Sequence, residues 1–290
     1  MKYKHYVQRG FSSSVLNLAL QFRAWIFAKV GIQSTATPPS DYELVYEDRF
    51  DSKKLSSDWR IAQPWGFFHP KQLYWYWTEK VVKPTTKGLI LENRHLPLTV
   101  YKKDLPKWVQ SNDLPDEFIL PWASGLISSK KTFKFGWIEA EIMLPREEMQ
   151  WSAFWTSGSE TWPPEIDIFE AYTDQDVEDI KVQPNIHYKL DDKGAKTDYG
   201  APTIAVRKPA DRFVKYAVHW TADFIKFYYD GLLVQVSTNH QALKDNAAEQ
   251  YIILNNGLKW PTKLHHPTEG QMIVRNLKVF QKKNVTELDK

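Results

Sequence analysis

From Tyr42 onward, hydrophobic and polar positions alternate in short runs separated by turn residues. The stretch Gly136 to Pro145 alternates strictly, with Ile138, Ala140, Ile142 and Leu144 on one side and Trp137, Glu139, Glu141 and Met143 on the other. Period two predicts a strand with one face in a core and one toward solvent. Phe224 to Val236 predicts a hairpin. Asp230-Gly231 supplies the positive-φ pair of a tight turn between Ile225-x-Phe227-x-Tyr229 and Leu233-x-Gln235. Tyr251 to Leu254 and Met272 to Phe280 read as further strands, and helical periodicity is almost absent beyond residue 40. Short strands with turn signals at roughly ten-residue intervals predict one all-β domain, an antiparallel sandwich or jelly roll.

The first forty residues follow another rule. Lys2, Lys4 and Arg9 precede Ser12, Ser13 and Ser14, and apolar positions then recur from Val15 through Leu20, Phe22, Trp25 and Ile26 to Val30 before Gly31. A capping serine, an amphipathic run and a C′ glycine predict one helix. Gln21, Arg23 and Lys29 interrupt the run, which falls short of the ~18 uninterrupted apolar residues a membrane span needs. No small-x-small cleavage site follows, so the segment is a poor export signal. The reading is a helix that packs on the domain or on a membrane surface, with no stable span. Ser34 to Ser40, containing Pro38 and Pro39, is a linker. The chain thus divides into 1–41 (helix and linker), 42–281 (β domain) and 282–290 (tail).

Composition narrows the chemistry. The chain has no cysteine, which removes disulfides, cysteine-held zinc, iron–sulfur clusters and thiol catalysis. Net charge is only +3, without long runs of one sign, so a nucleic-acid footprint is not expected. Aromatics are the anomaly: 13 Trp, 14 Tyr and 15 Phe exceed what packing needs, so many should line a surface or groove.

One line carries the acids: Trp162-Pro163-Pro164-Glu165-Ile166-Asp167-Ile168-Phe169-Glu170-Ala171-Tyr172. In a regular strand Glu165 and Asp167 share a face with Phe169, and Glu170 turns into the core with Ile166 and Ile168. That would bury a carboxylate. A β-bulge at Ile168-Phe169 inserts one extra residue and returns Glu170 to its companions. The two Glu Cα atoms would then stand ~13 Å apart, and on a curved sheet inward-leaning side chains could close to the ~5 to 5.5 Å of a retaining glycosidase pair. Crowded carboxylates oppose one another's ionisation, so a protonated acid can coexist with an ionised nucleophile. Trp151, Phe154, Trp155, Trp162 and Tyr172 lie near the acids in sequence, as stacking platforms for sugar rings would. A solvated strand edge bearing three acids is the structural alternative.

Gln150-Trp151-Ser152-Ala153-Phe154-Trp155 followed by Glu165-Ile166-Asp167-Ile168-Phe169-Glu170 resembles the signature of glycoside hydrolase family 16, in its bulged form typical of laminarinases, agarases and carrageenases. Tyr42 to Asp51, Ser124 to Lys130, Phe135 to Ala140, Tyr216 to Thr221 and Met272 to Phe280 extend the likeness over about residues 42 to 281. The resemblance implies a concanavalin-like β-jelly roll with a concave cleft, and an endo-acting, retaining double displacement on a β-linked polysaccharide. It implies Glu165 as nucleophile, Glu170 as acid/base, Asp167 as the carboxylate that tunes both, and His187 as a cleft histidine. Trp151, Trp155, Trp162, Trp75 and Trp65 are the candidate sugar contacts. Many relatives hold calcium through an aspartate in the last strand. Arg275 takes that position here, so no metal and no cofactor are expected. Pro164 stands where the family's glycine precedes the first catalytic Glu and reshapes the cleft border.

Other signals are weaker. Asp174, Asp176, Glu178 and Asp179 lack the glycine and distal Glu of a calcium loop, and His265-His266 has no carboxylate partner motif. Lys102, Lys103 and Lys107, with Trp108 and Trp122, form an insertion-like stretch that reads as a surface loop, with contact to an anionic glycan as the alternative. A polysaccharide is the expected partner, a monomer the expected state, and a glycan target implies work outside a cell. A transglycosylase or a non-catalytic lectin-like domain are the alternatives on the same fold.

Overall fold

The computed structural model describes residues 11–30, 36–64, 66–68, 74–105, 107, 110, 114–173, 180–190, 194–200, 208–259 and 266–283. Trp65, Trp108, His265 and the acidic stretch 174–179 lie outside them. The elements in chain order are α1 (Phe11–Val30), β1 (Tyr42–Asp48), β2 (Trp59–Arg60), β3 (Trp75–Trp77), β4 (Val82–Thr85), β5 (Gly88–Tyr101), β6 (Glu117–Phe133), β7 (Gly136–Met143) and β8 (Gln150–Gly158). There follow β9 (Glu165–Tyr172), β10 (Lys181–Lys189), β11 (Ala195–Tyr199), β12 (Val214–Trp220), β13 (Ile225–Tyr229), β14 (Leu232–Ser237), α2 (His240–Asp245), β15 (Gln250–Leu258) and β16 (Gly270–Lys282).

Hydrogen bonding runs β11-β10-β9-β8-β15-β6-β5-β16-β7-β12-β13-β14, with β1 added beside β16. The path turns over at the long β6–β5 pair, so its two halves stack as layers. Phe169 of β9 meets Tyr216 of β12 with ring centroids 4.3 Å apart, and the Tyr229 hydroxyl of β13 reaches the Ile168 carbonyl of β9 at 3.0 Å. Between the layers lies the main core, built from alternate residues of each strand, among them Ile138, Ala140, Ile142, Ile252, Leu254, Val274 and Val279. This is the jelly roll that the alternation predicts.

The hairpin turn falls at Asp230 (φ 49°) and Gly231 (φ 74°), as their residue types dictate. Two features depart from expectation. The outer face of β7 is not open, because Trp137 packs against Tyr228 and Glu139 is buried with it. The N-terminal helix is also not amphipathic in the ordinary sense. Leu20 and Ala24 are buried, but Val15, Leu18 and Phe22 on other sides are exposed.

Candidate active site

Ile166, Ile168, Phe169 and Ala171 of β9 all join the core, so two consecutive residues point inward. A regular strand forbids this and a bulge permits it. Toward β8, Phe154 pairs with Phe169 and Trp155 with Asp167, leaving Ile168 without a counterpart. Toward β10, Gln183 faces Glu170 and Asn185 faces Asp167, so Pro184 alone spans Ile168 and Phe169. Proline has no N–H to give the ladder, which suits it to this position. The Tyr229 hydroxyl donates to the Ile168 carbonyl from the opposite layer and pins the bulge from below. Glu165, Asp167, Glu170 and Tyr172 consequently share the outer face.

His187 of β10 sits opposite Glu165. Its Nε2 lies 3.2 Å from Glu165 Oε1 and 3.1 Å from Asp167 Oδ2, and its Nδ1 lies 2.8 Å from Thr197 Oγ1 on β11. The side chains of Glu165, Asp167 and His187 are only 14%, 4% and 16% exposed. Glu170 has its own surroundings. Trp151 Nε1 and Tyr172 Oη donate to its Oε1 at 2.8 and 3.0 Å, and Asn185 Nδ2 donates to its Oε2. The Trp151 and Tyr172 rings stack with centroids 5.8 Å apart.

Burial raises the Glu165 and Glu170 carboxyls well above the ordinary range, and the Asp167 charge raises both further. Burial opposes a charged His187, yet Glu165 and Asp167 outweigh it and lift the imidazole to about 9. Near neutrality the imidazolium therefore favours the ionised form of Glu165, which it touches. The same cation and the Trp151 and Tyr172 donors hold Glu170 down, yet burial still lifts Glu165 to about 8 and Glu170 to about 7, so the pair can share a proton near neutrality. Glu165, Asp167 and His187 each offer one ligand atom within 4.8 Å of the others, a set that a divalent cation could also use. On β7 and β16, Arg275 Nε instead pairs with Glu141 Oε2 at 2.6 Å, and Asn276 Nδ2 reaches the same oxygen at 3.1 Å.

The aromatic candidates separate. Trp162 is 54% exposed, donates to Glu165 Oε2 at 2.9 Å and stands 5.9 Å from the His187 ring. Its loop closes tightly: the Gly158 N–H meets the Pro164 carbonyl at 2.9 Å, and a Cβ at Gly158 would lie 2.4 Å from the Thr161 carbonyl. Trp151 is half-buried beside Glu170. Trp75 and Trp155 lie deeper than the other aromatic candidates. They are 5% and 8% exposed, with indole N–H groups spent on the Leu258 carbonyl and on Asn255 Oδ1. Both belong to an apolar cluster with Trp77, Trp122, Leu126 and Ile253 that supports the outer face. Asn185, Thr197 and Tyr229 were not singled out from sequence. Asn185 had a signal, being two residues before His187 on one strand and so on its face. Thr197 and Tyr229 had none, because each acts from a different strand.

The model of the family described as glycosyl hydrolases family 16 matches residues 69–275. An endo-1,3-1,4-beta-glycanase of Rhizobium meliloti (strain 1021) is 24% identical over 214 residues, 72% of this chain and 42% of that protein. The chain spans less than half the length of the curated relatives it matches. The laminarinase catalytic domain from Thermotoga maritima MSB8 superposes with TM-score 0.64 at 19% identity, covering 84% of this chain and 100% of that one. A non-specific endo-beta-1,3(4)-glucanase superposes with TM-score 0.64 at 21% identity, covering 88% and 99%.

Proposed function

The chain belongs to glycosyl hydrolase family 16, and on that premise we propose that it is an endo-acting, retaining hydrolase of a β-linked glucan. Residues 42–281 would be the catalytic unit. The observation that carries the reading is the bulge at Ile168. It places Glu165, Asp167 and Glu170 on one face and leaves each Glu with different partners. Three mutually repelling carboxyls, two of them raised, suit proton transfer better than packing.

In the first step a Glu165 oxygen attacks the anomeric carbon and forms a glycosyl ester. The bond to the leaving sugar breaks, and its oxygen takes the Glu170 proton. In the second step Glu170, now a carboxylate, removes a proton from water. The resulting hydroxide attacks the same carbon and Glu165 departs as carboxylate. Asp167 and the His187 imidazolium hold the charge balance around Glu165 through both steps. Trp162 and Trp151 border the acids and would stack on sugar rings.

The β-glucan assignment leans on the glucan-cleaving relatives. It is tested by reducing-end release from a panel of β-1,3-glucan, mixed-linkage β-1,3-1,4-glucan, agar and carrageenan, with product sizes recorded. Oligosaccharides from the glucans are the expected result. Cleavage confined to a galactan would replace the substrate, and binding without cleavage of any polysaccharide would favour a lectin-like role.

A further inference from the structure

The face by which α1 meets the domain is narrow. Asn17 Nδ2 donates to the Val236 carbonyl at 3.1 Å, and the Val236 N–H donates to Asn17 Oδ1 at 3.0 Å, so one amide pairs with the open edge of β14 at Val236. Leu20 and Ala24, three and seven residues on, are buried on that same side. The opposite side is also apolar. Val15, Leu18, Phe22, Trp25, Ile26 and Val30 are between 38% and 70% exposed, and the Phe22 and Trp25 rings stack with centroids 6.0 Å apart. A cluster of apolar side chains this exposed on a helix is ordinarily covered by a partner surface.

Charge indicates what covers it. The charged side chains of residues 1–40 are Lys2, Lys4, Arg9, Arg23 and Lys29; the first carboxylate of the chain is Asp41. An apolar helical face with a tryptophan, in a segment whose charges are all cationic, matches the interface of a bilayer bearing anionic lipids. Among the described residues no helix is long and apolar enough to cross a membrane, so α1 would lie on the surface. We propose that the outward face of α1 docks the protein, through its β14 edge, onto an anionic lipid bilayer. A sugar-cleaving unit held there would work on glycan close to a membrane.

The full chain is tested by co-sedimentation with vesicles of pure phosphatidylcholine and of phosphatidylcholine with phosphatidylglycerol. Wild type should bind the anionic vesicles at least tenfold more tightly and be released progressively as NaCl rises. The double variant Leu18→Glu/Phe22→Glu should lose at least tenfold in binding, with unchanged polysaccharide turnover showing that the β domain is intact. Equal binding to both vesicles, no binding, or binding that resists salt overturns the proposal, and these wild-type results stand even if the variant misfolds. A concentration-dependent dimer in sedimentation velocity, dissociated by the same variant, would assign the face to a second copy and also overturn it. The vesicle-binding and sedimentation readouts do not depend on whether the proposed glucan activity is right; only the turnover control does.

Discussion

Strands β7 and β9 are written in similar letters, Trp-Ile-Glu-Ala-Glu-Ile against Glu-Ile-Asp-Ile-Phe-Glu, yet they do different things with their acids. In β7 the alternation is unbroken and each acid finds an ordinary partner. Glu139 accepts from Trp137 Nε1 at 2.8 Å and faces Lys215 Nζ at 3.5 Å, and Glu141 pairs with Arg275. In β9 one extra residue breaks the alternation, so that Glu165 and Asp167 share a single histidine and Glu170 joins them on the same face with only neutral donors. Acid content and spacing therefore do not separate structural from chemical carboxylates. What separates them is whether the charges are neutralised locally or left to compete for protons.

The largest expected contrast is between Glu165→Gln and Glu141→Gln. The first should lower kcat by about 10⁴-fold or more, the second by less than about twofold, measured as reducing-end release. Glu170→Gln should cost about 10²- to 10⁴-fold on polysaccharide, with a smaller loss on an aryl glycoside whose leaving group needs no proton. His187→Gln removes the cation that favours ionised Glu165. Its carboxyl, already raised, should rise further, so the acid limb of the kcat/KM profile should move to higher pH; movement to lower pH would contradict the charge assignment. Tyr229→Phe leaves the Ile168 carbonyl without its buried donor. It should cost about 1 to 3 kcal/mol in denaturant unfolding and lower kcat more than it changes KM. The smallest effect should be Trp162→Ala, a rise of several-fold in KM, since one partly exposed stacking face contributes about 0.5–1.5 kcal/mol.

The β architecture was legible because period-two alternation and the Asp230-Gly231 turn are local signals. The bulge was legible for a less direct reason: a regular strand would have buried Glu170, and the cost of that placement pointed to the extra residue. Pro184, which faces the bulge, is a second local mark of it. Burial of Trp75 and Trp155 was not legible, because an aromatic facing outward from one sheet can be covered by a segment distant in sequence. Here residues 74–77 lie along β6, where Trp75 pairs with Trp122. The exposed apolar side of α1 was not legible, because an apolar run with scattered polar residues fits a helix with one apolar face and a helix with two equally well.

Proton NMR of the first reducing ends released, recorded before mutarotation, reads the consequence of two displacements at one carbon. A β-anomer is the predicted initial product from a β-linked chain. An α-anomer would mean a single displacement by water, and Glu165 could not then be the nucleophile.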